Sequence, residues 1–422
     1  MGLFKTSILN GIAVFTKMVT MFILNKILAI YVGPSGYAVI GQFQNFIQMI
    51  TSFSGGAINT GVIKCTAQYH NEPEKQKIVW KTSGSLVFTL SICFSILIIL
   101  FRTTLSNYIF DSLEYQSVFI WFSVFLILFN FNALFLSILN GKKEIIKLVF
   151  ANIIGSLFSL IVTSLLAIQY GLYGALIALS IYQSITFIIT FSLCIKSSWF
   201  KVNYLFGKIN KSIAKDLSSF MLMALVSAIC VPISQIAIRY YIMIKYGLDF
   251  AGYWDAMVRL SAAYLMFITT TLSVYYLPRL SELQKVDEIK NEIYQGYKFI
   301  FPLSLICGLI IYLFRDFIIQ LLFSTSFLPM KELFLWQMIG DSLKIGSWLL
   351  AFLMLSKAMT KLFIITEILF AFSSVLLTIL SSDFWGFKGV SIAHMLNYAF
   401  YWGIMAKFVF NSLNLQRKKY EK

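Results

Sequence analysis

The chain has 422 residues, of which 59% are hydrophobic and only 12% charged, with a formal net charge of +16 at pH 7 and a mean hydropathy of +0.80. That composition excludes a water-soluble enzyme. It also argues against a nucleic-acid partner despite the basic excess, because in so apolar a chain the lysines are read first against membrane topology.

Apolar runs of about 20 residues, enough to cross a bilayer as helices, recur between charged or turn-rich breaks. They predict an all-α polytopic membrane protein with twelve transmembrane helices, over residues 8–32, 36–62, 78–101, 115–139, 145–168, 173–195, 217–242, 252–277, 297–321, 332–356, 361–381 and 387–410. The opening MGLFKTS fits the short myristoylation pattern at Gly2, which is unspecific and which a many-span protein does not need. The first apolar stretch carries Lys17 and Lys26 and runs straight into GPSG, so it is read as the first span and not as a cleavable signal.

The second span contains GQFQNFIQMI, four amides in an apolar setting. Helical spacing puts Gly41, Asn45, Gln48, Ser52, Gly55 and Asn59 on one stripe and Phe43, Ile47, Ile50 and Phe53 on other faces. Gln44 lies beside Asn45. Amides and small residues glue helices together in membranes as readily as they line a polar cavity, so the stripe alone leaves both readings open.

Basic residues alternate along the chain. Lys5, Lys64 to Lys81, Lys142 to Lys147, Lys196 to Lys215, Arg279 to Lys298, Lys357 with Lys361, and Lys407 to Lys422 fall on one side, 24 in all, against 5 on the other. This bias places both termini in the cytoplasm. A faint repeat accompanies it: SGYAVI at Ser35 is matched by AGYWDA at Ala251, and GLYGALIA at Gly171 by GFKGVSIA at Gly386, at separations of 216 and 215 residues. The expected organisation is an N-terminal six-helix bundle over 1–200, a cytoplasmic linker over 201–216 and a C-terminal six-helix bundle over 217–422, around a central cavity.

The five cysteines stand alone and are read as small buried hydrophobes. His70 and His394 are likewise unpaired, and neither a metal nor a cofactor is expected.

Five cations remain inside spans: Lys17, Lys26, Arg239, Arg259 and Lys344. Asp255 stands four residues before Arg259 and Asp341 three before Lys344, each pair on one helix face, and Glu367 lies in the eleventh span. An intramembrane charge costs at least about 2.5–3.5 kcal/mol, so such residues face protein or water and are functional candidates. Arg239, Lys26 and Glu367 sit near helix ends, where snorkelling to the interface is the simpler reading. Lys17, Arg259, Asp341 and Lys344 lie deeper, with His394 and Asn397 of the last span as further candidates. A cationic, amide-lined cavity suits an anionic headgroup bearing sugars, because ammonium and guanidinium groups bind phosphate while amides bind hydroxyls.

Three stretches, AQYHNEPEKQKI, YLPRLSEL and FLWQMIGDSLKIGSWLLAF, resemble the Wzx flippases of the multidrug/oligosaccharidyl-lipid/polysaccharide exporter superfamily, which serve O-antigen and enterobacterial common antigen synthesis. The resemblance covers nearly the whole chain. It implies a multi-pass protein of the bacterial inner membrane that moves undecaprenyl-diphosphate-linked oligosaccharide between leaflets by alternating access. It also implies membrane lipid, the polysaccharide polymerase and the chain-length regulator as partners. Lys17, Lys26, Asp341 and Lys344 fall within matching stretches, whereas Asp255 and Arg259 depart from the family's pattern, in which an acid lies nearer Ala262. The excess of Lys (28) over Arg (6) fits the A/T-rich O-antigen gene clusters and leans toward that branch.

Two rival classes are weaker. A membrane glycosyltransferase or polymerase needs outer-loop acids or a large outer domain, whereas the outer loops here are short and no nucleophile–base pair or glycine-rich phosphate loop is evident. A drug exporter of the same superfamily handles cations and calls for acids in its cavity, the opposite of this bias.

Overall fold

The computed structural model describes residues 3–283, 285–357 and 359–420, and among them all regular structure is helical. That follows from the solvent, since a backbone group in hydrocarbon must be satisfied within its own helix. The chain divides into two compact units, Met1–Pro232 and Ile233–Lys422.

Unit 1 comprises α1 (Leu3–Tyr31), α2 (Gly33–Phe53), α3 (Asn59–Gln68), α4 (Pro73–Leu100), α5 (Arg102–Phe110), α6 (Gln116–Gly141), α7 (Ile145–Ile195) and the start of α8 (Lys211–Tyr246). Pro34 and Pro73 occupy first turns, where their missing N–H groups cost nothing. Unit 2 takes the end of α8, then α9 (Leu248–Thr271), α10 (Leu277–Glu282), α11 (Val286–Leu313), α12 (Arg315–Leu322), α13 (Phe334–Ser356), α14 (Thr360–Trp385) and α15 (Gly389–Tyr420).

Eight helical stretches are long and apolar enough to cross a membrane, but two of them, Ile145–Ile195 and Thr360–Asn411, run to 51 and 52 residues. At 1.5 Å per residue each exceeds twice the roughly 30 Å hydrocarbon core. Both break midway. Gly171 has φ 56° and ψ −132°, and Gly386 has φ 65° and ψ −149°, a left-handed region that a residue without Cβ enters freely. Two further helices, α2 and α9, have membrane length but are disqualified on hydropathy by the amides of the one and by Asp255 and Arg259 of the other. With both arms of each broken helix counted, twelve membrane-length segments result, as the sequence predicts.

The repeat extends well beyond the two motifs that announce it. A Cβ on Gly174 would lie 1.9 Å from the Leu166 carbonyl oxygen, and one on Gly389 2.3 Å from that of Ser381, so both folded helices close on the same backbone contact. Arg102 donates Nη1–H to the Ile99 carbonyl at 3.2 Å, and Arg315 to that of Tyr312 at 2.9 Å. These arginines open α5 and α12, short helices that a search for 20-residue apolar runs cannot find. α11 starts at Val286, well ahead of the expected 297, because the charged segment before its apolar run is helical too.

Within unit 1, α6 packs against α7 and α4; within unit 2, α13 packs against α15 and α11. α6 and α13 are more deeply buried than the other long apolar stretches of their units, and α9 is largely buried as well. In unit 1, Phe43 stands among Phe46, Phe110, Phe119 and Phe122 at ring-centroid distances of 5.6–6.3 Å. Where α2 stops before Gly55 (φ 147°), Asn130 of α6 donates Nδ2–H to the freed Ser54 carbonyl at 3.3 Å and to the hydroxyls of Ser54 and Ser91, each at 2.8 Å. α6 thus repairs the break.

Candidate functional site

Buried charged residues of unit 2 gather in two centres. The first joins α8 to α9. Arg239 Nη2 lies 2.5 Å from Asp255 Oδ1, and Arg259 Nε lies 2.7 Å from Asp255 Oδ2. Spacing of four puts Asp255 and Arg259 on one face of α9, as the sequence predicts. Arg239 is a correction: it does not snorkel but is 3% exposed and claims the same carboxylate. Asp255 is thus shared by two guanidinium groups. The Arg259 side chain, 11% exposed against 4% for Arg239, is the more accessible of the two cations.

The second centre surrounds Asp341 on α13. Its carboxylate, fully buried, is 3.0 Å from His394 Nε2 of α15 through Oδ1 and accepts the Tyr264 hydroxyl of α9 at 2.8 Å through Oδ2. With Asp341 ionised, the His394 Nε2–H is the donor. Gln337, one turn earlier, donates Nε2–H to Asp341 Oδ1 at 3.3 Å and to the Ser261 hydroxyl at 3.1 Å. α9 therefore contributes to both centres, with Asp255 and Arg259 to the first and Ser261 and Tyr264 to the second.

The expected pairing of Asp341 with Lys344 is overturned. The carboxylate is taken by His394 and Tyr264, and the Lys344 ammonium lies over the rings of Trp348 and Tyr398, at 5.0 and 5.6 Å from their centroids. The Tyr398 ring in turn stands 4.8 Å from His394. A side chain three residues on along α13 cannot compete with donors from α9 and α15 that point straight at the carboxylate.

The remaining predicted residues belong to unit 1. On α1, Lys17 is exposed and Lys26 half-buried. On α2, Phe43, Phe46, Ile47 and Ile50 enter the core, while Gln44 and Asn45 are half-buried and Gln48 exposed. Gln44 and Asn45 thus border the packed face, the Asn45 amide nitrogen being buried, and Gln48 is the exposed amide. Among the described residues no cluster of three metal-ligating side chains occurs.

Tyr264, Gln337 and Ser261 escape an assignment based on charge, because none carries a charge and none is adjacent to Asp341 in sequence, whereas His394 was among the candidates of the last span. One signal was available. At a separation of 215 residues, Asp341 corresponds to Leu126 and His394 to Leu179, both buried. The second centre therefore stands where the other unit has plain core, a mark of specialisation.

A family model described as polysaccharide biosynthesis protein matches residues 3–284. The lipid III flippases of Escherichia coli (strain K12) and Shigella flexneri are 30% identical over 368 residues, 87% of this chain and 88% of theirs. Among solved structures, an inward-facing conformation of a multidrug resistance MATE family transporter of the MOP superfamily superposes with a TM-score of 0.80 at 14% identity, covering 95% of this chain and 96% of that one. An outward-facing conformation gives 0.64 at 15% identity, covering 96% of each. These structures establish the fold.

Proposed function

Because the chain belongs to the polysaccharide biosynthesis protein family, we propose that it is a flippase for lipid-linked oligosaccharide, carrying undecaprenyl-diphosphate-linked sugar units from the cytoplasmic to the periplasmic leaflet of the inner membrane. The activity is transport, and no bond in the substrate is broken. The observation that carries the reading is the pair Arg239 and Arg259 sharing Asp255. Guanidinium groups inside membrane-spanning helices are costly to insert, and a bound phosphate offsets that cost.

In this reading the diphosphate exchanges onto Arg259, whose planar fork matches phosphate oxygens, while Arg239 keeps Asp255 in place. Within unit 2, Lys344 adds positive charge on α13; within unit 1, Lys17 and Lys26 carry it on α1. Gln44, Asn45 and Gln48 present amide donors and acceptors to sugar hydroxyls. The prenyl chain stays in lipid. Asp341, held by His394 and Tyr264, is a buried group able to gain or lose a proton, and alternating access linked to that proton gives the cycle a direction. The translocated unit is then what a periplasmic polymerase and its chain-length regulator consume, which makes them partners of this chain.

The test is reconstitution into vesicles with a fluorescent lipid-linked oligosaccharide and a membrane-impermeant quencher added outside. Wild-type protein is expected to expose the label far faster than protein-free vesicles, and Arg259→Gln to slow it toward that background. Equal rates with and without protein would exclude the assignment.

A further inference from the structure

The charges of unit 2 do not account for a second cationic feature, at the end of α6. Lys142 caps that helix, its N–H bonded to the Ile138 carbonyl at 2.9 Å. Its ammonium reaches Gln76 Oε1 at 3.2 Å and stands 5.5 Å from the centroid of the Trp199 ring. Gln76, 2% exposed, is fixed by its own bond to the Thr66 carbonyl at 2.7 Å. Lys147, from the first turn of α7, stands 5.9 Å from the same indole centroid.

Glu144 is the acid of this group and is already engaged. Its Oε1 accepts Trp199 Nε1–H at 2.9 Å and its Oε2 lies 3.4 Å from Lys147 Nζ. Lys143, between Lys142 and Glu144 in sequence, is exposed. Among the described residues Lys142 forms no ion pair. Burial lowers its pKa below the ordinary lysine value, an effect that the nearby Glu144 carboxylate opposes without cancelling.

The indole is held rigidly. Trp199 packs on Trp80 at 5.6 Å and on Phe200 at 5.9 Å, and Trp80 Nε1–H donates to the Thr66 hydroxyl at 3.0 Å. Beside the lysines, Ile146 and Phe150 stand 59% and 49% exposed on α7, an apolar ridge next to the positive charge. The repeat provides an internal comparison. Lys357 occupies the corresponding position at the end of α13, 215 residues on, and bonds the Leu283 backbone carbonyl. A helix-capping lysine needs only such a carbonyl, so the aromatic floor and the locked amide of unit 1 are additions.

We propose that Lys142, Lys147 and the Trp199 face form a capture site for the diphosphate of a polyprenyl carrier, with Ile146 and Phe150 against its first isoprene units. The inference rests on the flippase reading, which places this end of unit 1 at the cytoplasmic leaflet where the substrate is loaded. A diphosphate matches two ammonium groups flanking one ring better than the single phosphate of a bulk phospholipid does. The apolar ridge selects a lipid-borne group over the free ion.

The site can be tested on the full-length protein in detergent by titrating farnesyl diphosphate and following tryptophan emission. A saturable change is expected that disappears in Trp199→Phe. Half-saturation should weaken by about tenfold in Lys142→Gln and return toward wild type in Lys142→Arg. An unchanged titration in Lys142→Gln, a signal that survives in Trp199→Phe, or equal potency of phosphatidylglycerol micelles would overturn the proposal. Loss of the signal in Arg259→Gln alone would place the diphosphate in unit 2, refuting the capture site and leaving the flippase reading intact.

Discussion

His394 Nε2 lies 3.0 Å from Asp341 Oδ1, joining α15 to α13 across 53 residues of sequence. The approach depends on Gly340, where a Cβ would stand 2.5 Å from His394 Cδ2. Asp341→Asn keeps the shape of the side chain and its bond from Tyr264 but removes the charge. Transport in vesicles is expected to fall at least tenfold with the protein still folded, whereas Gly340→Ala should impair both folding and transport by displacing the imidazole. Full transport by Asp341→Asn would remove this carboxylate from the mechanism.

Asp255 and Arg259 should separate stability from activity. Removing Asp255 leaves two buried guanidinium groups without their counterion, a change that typically costs about 3–5 kcal/mol; Asp255→Ala is therefore expected to insert poorly and to unfold at a much lower temperature. Arg259→Gln leaves Arg239 with Asp255 as a neutral pair. It should melt near wild type while losing transport. Melting curves and vesicle assays on the same preparations provide the comparison, and an inactive Arg259→Gln that also fails to fold would make Arg259 structural.

On α2, the two faces predict opposite behaviour. Phe43 is fully buried among four phenylalanine rings, so Phe43→Ala should cost about 3–5 kcal/mol. Gln48→Ala alters an exposed amide and should lower the transport rate with little change in melting temperature.

The glycines of the folded helices test the repeat. Gly174→Ala and Gly389→Ala each force a methyl group onto a backbone carbonyl oxygen, and a loss of about 1–3 kcal/mol is expected at either site. Gly11, with nothing within 4 Å of its added Cβ, is the control, where the same change should be neutral or slightly stabilising.

Lys142 carries a pH prediction for the capture site. Its folded pKa lies below the ordinary lysine value of 10.5 because of burial, so the free ammonium deprotonates at lower pH than an exposed lysine does. Binding a diphosphate favours the charged form and draws in a proton. Affinity for farnesyl diphosphate should therefore decline as pH rises while still below 10.5, and Lys142→Arg, charged throughout, should abolish that part of the decline.

Much of this protein could be read directly from the sequence. Twelve apolar stretches dictate helices because no other local structure satisfies a backbone in hydrocarbon, and the paired motifs at Gly171 and Gly386 disclosed the repeat because each marks a turn that only glycine makes without strain. The Asp255–Arg259 pair was equally legible, since both residues lie on one helix at a spacing fixed by the helical period. What the sequence could not supply was the partner that arrives from another helix. Arg239 reaches Asp255 from α8, His394 and Tyr264 reach Asp341 from α15 and α9, and Lys344 turns away to aromatic rings. Periodicity orders residues along one helix, but the register between helices is set by which side chains pack, and that decided which charges are shared, which are quenched and which remain open to an anion.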